Sequence, residues 1–229
     1  MNLTDLMTAI RGGLVVSCQA GPAHPLRDTA TIRRLAEAAV LGGATAVRCG
    51  GVGGLADVRA VADAVTVPVI GLTKRGDSGV FITPTVADAL EVLAAGADVV
   101  ATDATARPRP DGASLRDTVR AVHGAGGLVM ADVSTVDEGI AAAACGADLI
   151  ATTLSGYTPH SRQLTGPDLA LVRELAAEVP SVPVVAEGRY HRPEHVRQAL
   201  DAGAAAVVVG TAITDPAWIT SRFAEVTDR

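Results

Sequence analysis

Four evenly spaced glycines constrain the fold of this chain more than any other feature of its sequence. Gly43, Gly96, Gly146 and Gly203 lie 53, 50 and 57 residues apart, and each precedes an alanine and then an apolar run. A glycine in this place is typical of a helix end, because it adopts the left-handed backbone conformation without strain. Each interval has room for two strand–helix units, so the glycines mark strands two, four, six and eight of a repeating fold.

Short apolar runs rich in valine and isoleucine alternate with longer, alanine-rich stretches of helical spacing. Because the short runs are continuously apolar, they are typical of strands that are buried on both faces of a parallel sheet. The predicted strands span 14–19, 44–49, 68–74, 97–103, 128–132, 147–153, 182–187 and 204–209. The predicted helices span 28–41, 54–64, 84–95, 113–124, 135–145, 167–179, 193–202 and 215–226.

The chain also repeats itself at longer range. Gly12–Val16 resembles Gly126–Met130, and Val67–Ile70 resembles Val182–Val185. Strand one is therefore similar to strand five, and strand three to strand seven. This pattern indicates two similar halves with four strand–helix units each.

Eight strand–helix units in one chain of 229 residues predict an α/β fold, a single-domain (β/α)8 TIM barrel with eight parallel strands. The domain is predicted to cover 1–229, with 1–12 as a short lead-in. An open doubly wound sheet is the alternative. Such a sheet usually has a glycine-rich phosphate loop after its first strand, and the segment 18–22 does not have that pattern.

Composition and charge exclude several kinds of partner. The net charge is −6 and aromatic residues make up 2% of the chain, which argues against a nucleic-acid partner. The apolar runs are much shorter than the roughly 20 residues of a membrane span, so no membrane partner is expected. Three cysteines, Cys18, Cys49 and Cys145, cannot form a disulfide framework, and this favours the reducing cytoplasm.

In a barrel of this kind, the active site lies at the carboxyl ends of the strands. The residues at the predicted ends are Gln19, Arg48, Lys74, Asp103, Asp132, Thr153, Glu187 and Gly210. Lys74 and Glu187 are the predicted catalytic residues, because an amine with a lowered pKa can act as a base and a carboxylic acid can donate a proton. The structural alternatives are a salt bridge from Lys74 to an aspartate, and a Glu187 that orients Arg189 or Lys74.

Other strand-end residues are predicted to bind substrate. The Arg48 guanidinium can clamp an oxygen, and the Gln19 amide can both donate and accept hydrogen bonds. Asp132 and Thr153 are placed in the same group. Asp103 is a weaker candidate for the site than Asp132, because an aspartate at a strand end often caps the following loop.

The loops after strands seven and eight are the usual phosphate cradle of a barrel. Here they contain Gly188 and Arg189, and Gly210 and Thr211; simple tight turns are the alternative. Metal binding is not expected, because His191 and His195 flank a helix start and have no third ligand beside them. An amine, a carboxyl group and a phosphate cradle together suit proton abstraction beside the carbonyl group of a sugar phosphate.

Six motifs occur in order along the chain. They are Ser17–Ala20, Ile82–Thr85, Ala101–Thr105, Met130–Thr135, Thr152–Pro159 and Ala186–Arg189. This pattern resembles the N-acetylmannosamine-6-phosphate 2-epimerase family, and the resemblance covers nearly the whole chain. The run Thr-Thr-Leu-Ser-Gly-Tyr-Thr-Pro is its most specific part.

The resemblance implies a (β/α)8 barrel, often a homodimer, that needs no metal and no redox cofactor; no cofactor is expected. Its small-molecule partner would be an amino-sugar phosphate from sialic acid and N-acetylmannosamine breakdown. The implied reaction converts N-acetylmannosamine 6-phosphate to N-acetylglucosamine 6-phosphate by removal and return of the proton on C2. Lys74 and Glu187 would be the acid/base pair, and replacing either by alanine should abolish turnover and leave thermal stability nearly unchanged.

The resemblance also implies that Gln19, Arg48 and Asp132 contact the sugar, and that the loops 188–189 and 210–211 hold its phosphate. Asp215 departs from the family pattern, which commonly has an arginine there. A carboxylate beside a dianionic phosphate is repulsive unless it points away or a nearby arginine compensates.

Further departures are His24, where the family has glutamate, and the run Arg48–Gly51. Two other functions are compatible with the residues. One is an aldolase that forms a Schiff base on Lys74, and the other is a sugar-phosphate-binding barrel without catalysis.

Overall fold

The computed structural model describes residues 1–76 and 79–227. Eight parallel strands form a closed barrel in which each strand pairs with the next and β8 pairs with β1. The strands are β1 (Leu14–Cys18), β2 (Ala46–Cys49), β3 (Val69–Gly71), β4 (Val99–Asp103), β5 (Leu128–Asp132), β6 (Leu149–Ala151), β7 (Val184–Glu187) and β8 (Ala206–Val209). The predicted fold class is confirmed.

Helices connect the strands on the outside of the barrel. They are α1 (Leu3–Ile10), α2 (Thr29–Leu41), α3 (Gly54–Ala62), α4 (Val86–Ala94), α5 (Leu115–Gly124), α6 (Val136–Cys145), α7 (Leu169–Glu178), α8 (Pro193–Asp201), α9 (Thr211–Thr214) and α10 (Pro216–Ala224). The four spaced glycines have φ between 94° and 104°. They therefore end their helices in the left-handed conformation that their positions predict.

Alternate residues of each strand point into the barrel and out towards the helices. Inside, side chains such as Val15, Ile70 and Met130 form one apolar cluster. The helix α1 lies in the predicted lead-in, and its buried residues Leu6 and Ile10 belong to this inner cluster. The lead-in therefore closes one end of the barrel.

The outer layer between strands and helices holds the other apolar clusters. Cys18 and Cys49 are register partners on β1 and β2 and are buried there, as expected of small core residues. None of the helices in the described part of the chain combines the length and hydropathy needed to cross a bilayer.

Three strands end earlier than the sequence predicts, and in β1 the difference is one residue, since it ends at Cys18 and not at Gln19. β3 ends at Gly71 and β6 at Ala151, so Lys74 and Thr153 lie in the loops that follow rather than at strand ends. The apolar residues Leu72 and Leu154 extend these runs in the sequence, and both are buried although the backbone has left the sheet. The side chains of Lys74 and Thr153 still reach the mouth of the barrel.

Candidate active site

Lys74 is presented by a short antiparallel segment after β3. Lys74 and Ile82 form an isolated β-bridge, and the Arg75 N–H donates to the Phe81 carbonyl at 3.0 Å. The Lys74 N–H donates to the carbonyl of Gly51 at 3.0 Å. The backbone of this lysine is therefore fixed from two sides.

Glu187 is the last residue of β7, and the neighbouring strand holds its backbone. The Glu187 N–H donates to the Thr152 hydroxyl, which in turn donates to the Glu187 carbonyl, both at 2.9 Å. Its carboxylate oxygen Oε2 accepts a hydrogen bond from Arg48 Nη1 at 2.6 Å. The ion-pair alternative for Glu187 thus exists, but its partner is Arg48 and not Arg189 or Lys74.

Arg48 and Asp132 form a buried pair beneath Glu187. The guanidinium donates to both carboxylate oxygens of Asp132, at 3.0 and 2.7 Å, and the Thr153 hydroxyl lies 2.6 Å from one of them. Arg48 is 1% exposed and Asp132 is fully buried. The guanidinium therefore donates hydrogen bonds to the carboxylates of both Asp132 and Glu187.

The mouth of the barrel contains a cavity of about 340 Å³. The predicted site residues that line it are Gln19, Lys74, Thr153, Glu187, Gly188, Arg189, Gly210 and Thr211. Arg48 and Asp132 were also predicted to contact substrate, but they are not among the described residues of the cavity wall. A polar residue at a strand end therefore indicates that its side chain lies near the mouth of the barrel. It does not indicate how deeply that side chain is buried.

Burial and neighbouring charges shift the pKa values of the two proposed catalytic groups, Lys74 and Glu187. Burial lowers the pKa of Lys74, and the charge of Arg48 lowers it further. Burial raises the pKa of Glu187 against the opposing effect of Arg48, with Asp132 adding to the increase. Both shifts bring the two pKa values closer together than those of a free lysine and a free glutamate, which favours proton transfer at either group.

Gln19 follows β1 and lines the cavity beside Ser17. Its Nε2 donates to the Ser17 hydroxyl at 2.9 Å. A Cβ at Gly51 would overlap the Gln19 side-chain oxygen, so glycine at that position leaves room for the amide. The amide is therefore held at the cavity wall, where it can bind a hydroxyl or carbonyl oxygen.

The loops after β7 and β8 meet at one end of the cavity. Gly188 has a φ of 107°, and Gly210 immediately precedes the short helix α9. Arg189 lines the cavity, but its Nε and Nη1 donate to the carbonyls of Gly166 and Ser155, each at 2.7 Å. Its guanidinium therefore mainly holds the loop that follows β6.

Asp215, the departure from the family pattern, has two partners of its own. Its carboxylate accepts from the Trp218 N–H at 3.0 Å and so caps α10, and it lies 3.1 Å from His24 Nε2. These hydrogen bonds lower the pKa of Asp215. The two departures at positions 24 and 215 are thus in contact with each other.

Asp103 takes the structural role that the sequence left open. Its carboxylate accepts from the N–H and hydroxyl of Thr105 and from Arg107, at 2.7 to 3.0 Å. It is 1% exposed.

In the described residues, no group of three or more histidine, cysteine, aspartate or glutamate side chains is arranged to hold a metal ion.

Sequence reasoning missed the aromatic part of the cavity wall. Phe81, Tyr157 and Tyr190 all line the cavity, and the chain has only two phenylalanines, two tyrosines and one tryptophan. The signal that could have pointed to the three residues is their position, because each lies within or directly beside one of the six ordered motifs.

A parallel barrel with an amine and a carboxyl group in one cavity at the carboxyl ends of its strands defines a barrel enzyme of acid–base chemistry. A family model described as "Putative N-acetylmannosamine-6-phosphate epimerase" matches residues 32–229. The chain belongs to this family.

Relatives and a solved structure agree with that assignment. Proteins named "Putative N-acetylmannosamine-6-phosphate 2-epimerase" from Corynebacterium glutamicum (strain R) and Cutibacterium acnes are 47% and 50% identical to this chain. The matches cover 97% and 95% of this chain and 96% and 95% of those proteins.

The solved structure of the N-acetylmannosamine-6-phosphate 2-epimerase from Clostridium perfringens is 42% identical, with a TM-score of 0.92 over 97% of this chain and 96% of that one. Thiamine phosphate pyrophosphorylase from Pyrococcus furiosus shares the fold alone, at 19% identity, with a TM-score of 0.61 over 93% of this chain and 90% of that one.

Proposed function

We propose that this protein interconverts N-acetylmannosamine 6-phosphate and N-acetylglucosamine 6-phosphate, with Lys74 and Glu187 as the acid/base pair. The observation that carries the proposal is the placement of these residues around the barrel. Lys74 follows β3 and Glu187 ends β7, and three strands separate β3 from β7 in either direction. The amine and the carboxyl group therefore face the cavity from opposite sides.

Inversion at C2 requires one proton-transfer group on each face of this carbon. In the open-chain sugar, C2 is adjacent to the C1 carbonyl, so removal of its proton gives an enolate. One group takes that proton on one face, and the other group delivers a proton to C2 on the opposite face. The C2–H bond that breaks and the one that forms lie on different faces, so the configuration inverts. Solvent exchange then restores both groups.

The protonation states suit both directions of the reaction. With one proton shared between the pair, either Lys74 is a neutral base and Glu187 an acid, or Lys74 is an ammonium acid and Glu187 a carboxylate base. The two forms have the same total charge and serve the two epimers in turn. A lowered pKa on the amine and a raised pKa on the carboxyl group bring the two forms closer in free energy.

We place the phosphate at the loops after β7 and β8. The N–H groups of Thr211 and Ala212 begin α9 and have no acceptor within that helix, and Gly188 has a φ of 107°, which favours glycine in the loop after β7. A short extra helix after the last strands is the usual anion site of this fold. Because Asp215 is bound to His24 and to the start of α10, its charge is partly compensated.

The sugar hydroxyls and the acyl amide would meet Gln19 and Thr153, which line the cavity. We assign Arg48 and Asp132 to the orientation of Glu187, since both lie beneath it. Such a reaction uses proton transfer alone, and we propose that it serves the breakdown of amino sugars.

Proton NMR in D₂O with N-acetylmannosamine 6-phosphate tests this function. The expected result is the gluco epimer carrying deuterium at C2. Turnover of the unphosphorylated sugar alone would move the assignment away from a phosphate substrate.

Borohydride treatment of the protein with substrate separates the aldolase alternative, because only a Schiff base on Lys74 gives a trapped adduct. Binding of the sugar phosphate without exchange at C2 would leave a binding protein in place of an enzyme.

A further inference from the structure

Thr83 is a fully buried residue with a strained backbone. Its φ is 43°, in the left-handed region where a Cβ is crowded, and a β-branched residue is rarely found there. Strain of this kind persists only where the surrounding structure imposes it, and it is often found near functional sites. A glycine or asparagine would adopt the same φ at lower cost, so the reason for threonine must lie in its side chain.

The side chain and backbone of Thr83 together hold one residue, Thr73. The Thr83 N–H donates to the Thr73 carbonyl at 2.8 Å. The Thr83 hydroxyl accepts from the Thr73 N–H at 3.2 Å. Both backbone polar groups of Thr73 are therefore bound by a single partner, and Thr73 is the residue that directly precedes Lys74.

Thr83 is in turn anchored to the sheet. Its carbonyl accepts from the hydroxyl of Thr102 on β4 at 3.0 Å, and that hydroxyl accepts from Arg109 Nη2 at 3.1 Å. The contact thus runs from β4 through Thr83 to the backbone that carries Lys74. On the other side, the Lys74 N–H is held by Gly51.

We propose that Thr83 is a positioning residue for Lys74, and that its hydroxyl fixes the peptide group between Leu72 and Thr73, so that the next residue, Lys74, enters the cavity in one direction. The inference rests on the proposed function, in which the Lys74 amine exchanges a proton with the substrate. Thr83 itself is absent from the described residues that line the cavity, so its effect on catalysis acts through the lysine.

Removal of the hydroxyl leaves the buried Thr73 N–H without an acceptor. We expect the Leu72–Thr73 peptide group to rotate towards another acceptor and to displace the Lys74 side chain. A displacement of about 1 Å at a reacting group is enough to reduce the rate about 100-fold. The phosphate end of the cavity lies on other loops, so KM should change much less than kcat.

The test compares Thr83→Ala with Thr83→Ser, which differ only by the hydroxyl. We expect Thr83→Ala to lose about 100-fold in kcat and Thr83→Ser to stay near the wild-type value. Thr83→Gly is a second hydroxyl-free variant in which the strained φ is relieved, so it should fold at least as stably as Thr83→Ala and still lose kcat. Thr118→Ala is the control, since Thr118 is a buried threonine on α5 whose hydroxyl has no hydrogen-bond partner among the described residues.

A second readout does not depend on turnover. Lys74 is the only lysine of the chain, so an acetylating reagent followed by mass spectrometry reports the titration of this one side-chain amine. In wild-type protein and in Thr83→Ser, half-maximal acetylation should occur below pH 10.5, the ordinary lysine pKa. In Thr83→Ala the midpoint should move towards that value, because the displaced amine moves away from the positive charge of Arg48.

The proposal is wrong if Thr83→Ala keeps both the wild-type kcat and the wild-type acetylation profile. It is equally wrong if Thr83→Ser loses as much as Thr83→Ala, because the hydroxyl would then not matter. Should the wild-type protein show no epimerase activity at all, the proposed function fails, and the acetylation profiles still decide whether Thr83 positions Lys74.

Discussion

The two proposed catalytic side chains differ in how their neighbours hold them. Glu187 accepts a hydrogen bond from the buried Arg48, whereas no described residue forms a salt bridge with the Lys74 amine. The hydrogen bond from Arg48 therefore contributes to folding, although burial raises the pKa of Glu187, whereas Lys74 has no such contact with a carboxylate among the described residues. This difference changes the expectation that both residues could be replaced at no cost in stability.

We expect Lys74→Met and Glu187→Gln each to reduce kcat by about 10²- to 10⁴-fold, since each removes one proton-transfer group. Lys74→Met should leave the free energy of unfolding within about 0.5 kcal/mol of wild type. Glu187→Gln should lower it by about 1–3 kcal/mol, because the buried Arg48 loses a charged partner. Urea unfolding and steady-state kinetics measure the two effects. Equal stability losses in both variants would contradict this account of Glu187.

The pH dependence of kcat/KM should be bell-shaped. At low pH both groups are protonated and no base remains, and at high pH both are deprotonated and no acid remains. The rising limb should lie above 4.5, the ordinary pKa of glutamate, because burial raises the pKa of Glu187. The falling limb should lie below 10.5, because burial lowers the pKa of Lys74. Both limbs belong to the coupled pair, and a profile still rising at pH 10.5 would speak against it.

Asp215 places a carboxylate in the cavity wall near the proposed phosphate site. Asp215→Asn should lower KM for the phosphorylated sugar, because it removes a like charge and asparagine caps α10 equally well. Asp63→Asn, at the exposed C-terminal end of α3 on the other face of the barrel, carries the same charge change as a control. A lower KM in both variants would show an effect of net charge alone.

At the scale of elements, the loop after β2 passes close to the backbone after β3. Gly50 has a φ of 111°, and a Cβ there would overlap the carbonyl oxygen of Leu72. Leu72 lies two residues before Lys74, so this close approach helps to set the path of the segment that presents the lysine.

We expect Gly50→Ala to destabilise the protein by about 1–3 kcal/mol through the overlap, in addition to about 1–2 kcal/mol for the positive φ. Gly43→Ala is the matched control, because Gly43 has a φ of 98° and an added Cβ would meet nothing within 4 Å. Gly43→Ala should therefore lower the free energy of unfolding only by the cost of the positive φ. Equal midpoints in urea for the two variants would mean that the contact with Leu72 is relieved by a backbone shift.

The sequence predicted all eight strands and their connecting helices because each has its own periodic or apolar run. It did not predict α1, which lies in the segment interpreted as a lead-in before the first strand, or α9, whose four residues are too few for a distinct helical pattern. Placing Arg48 and Asp132 beneath the cavity requires side-chain depth, which residue type does not encode. The contact of His24 with Asp215 joins residues 191 positions apart, and local pattern contains no information about such pairs.

At the scale of the whole molecule, the last helix differs from those before it. The helices α2 to α8 each bury residues against the barrel, as α2 does with Ile32 and Ala36. None of the residues of α10, all of which lie in the described part, is buried. Phe223 at its end is 72% exposed and Val226 just beyond it is 84% exposed. An apolar surface of this kind is typical of a protein–protein interface.

We propose that a second copy of the chain covers this surface, in keeping with the homodimer that the family resemblance implies. Light scattering should give twice the chain mass of 23.1 kDa. In a two-fold symmetric interface each substitution acts twice, so Phe223→Ser should weaken the dimer by about 4 kcal/mol if each buried phenylalanine contributes about 2 kcal/mol. That loss corresponds to about a 1,000-fold higher dissociation constant.

Ile140→Ser is the control, because Ile140 is an exposed apolar residue on α6, which lies between β5 and β6 on the opposite side of the barrel. It should leave the dimer intact. A wild-type protein that stays monomeric at high concentration contradicts the proposed dimer. Equal dissociation in both variants shows that the interface does not involve α10. Since α10 begins directly after Asp215 in the cavity wall, dissociation should also raise KM if the interface steadies that end of the site.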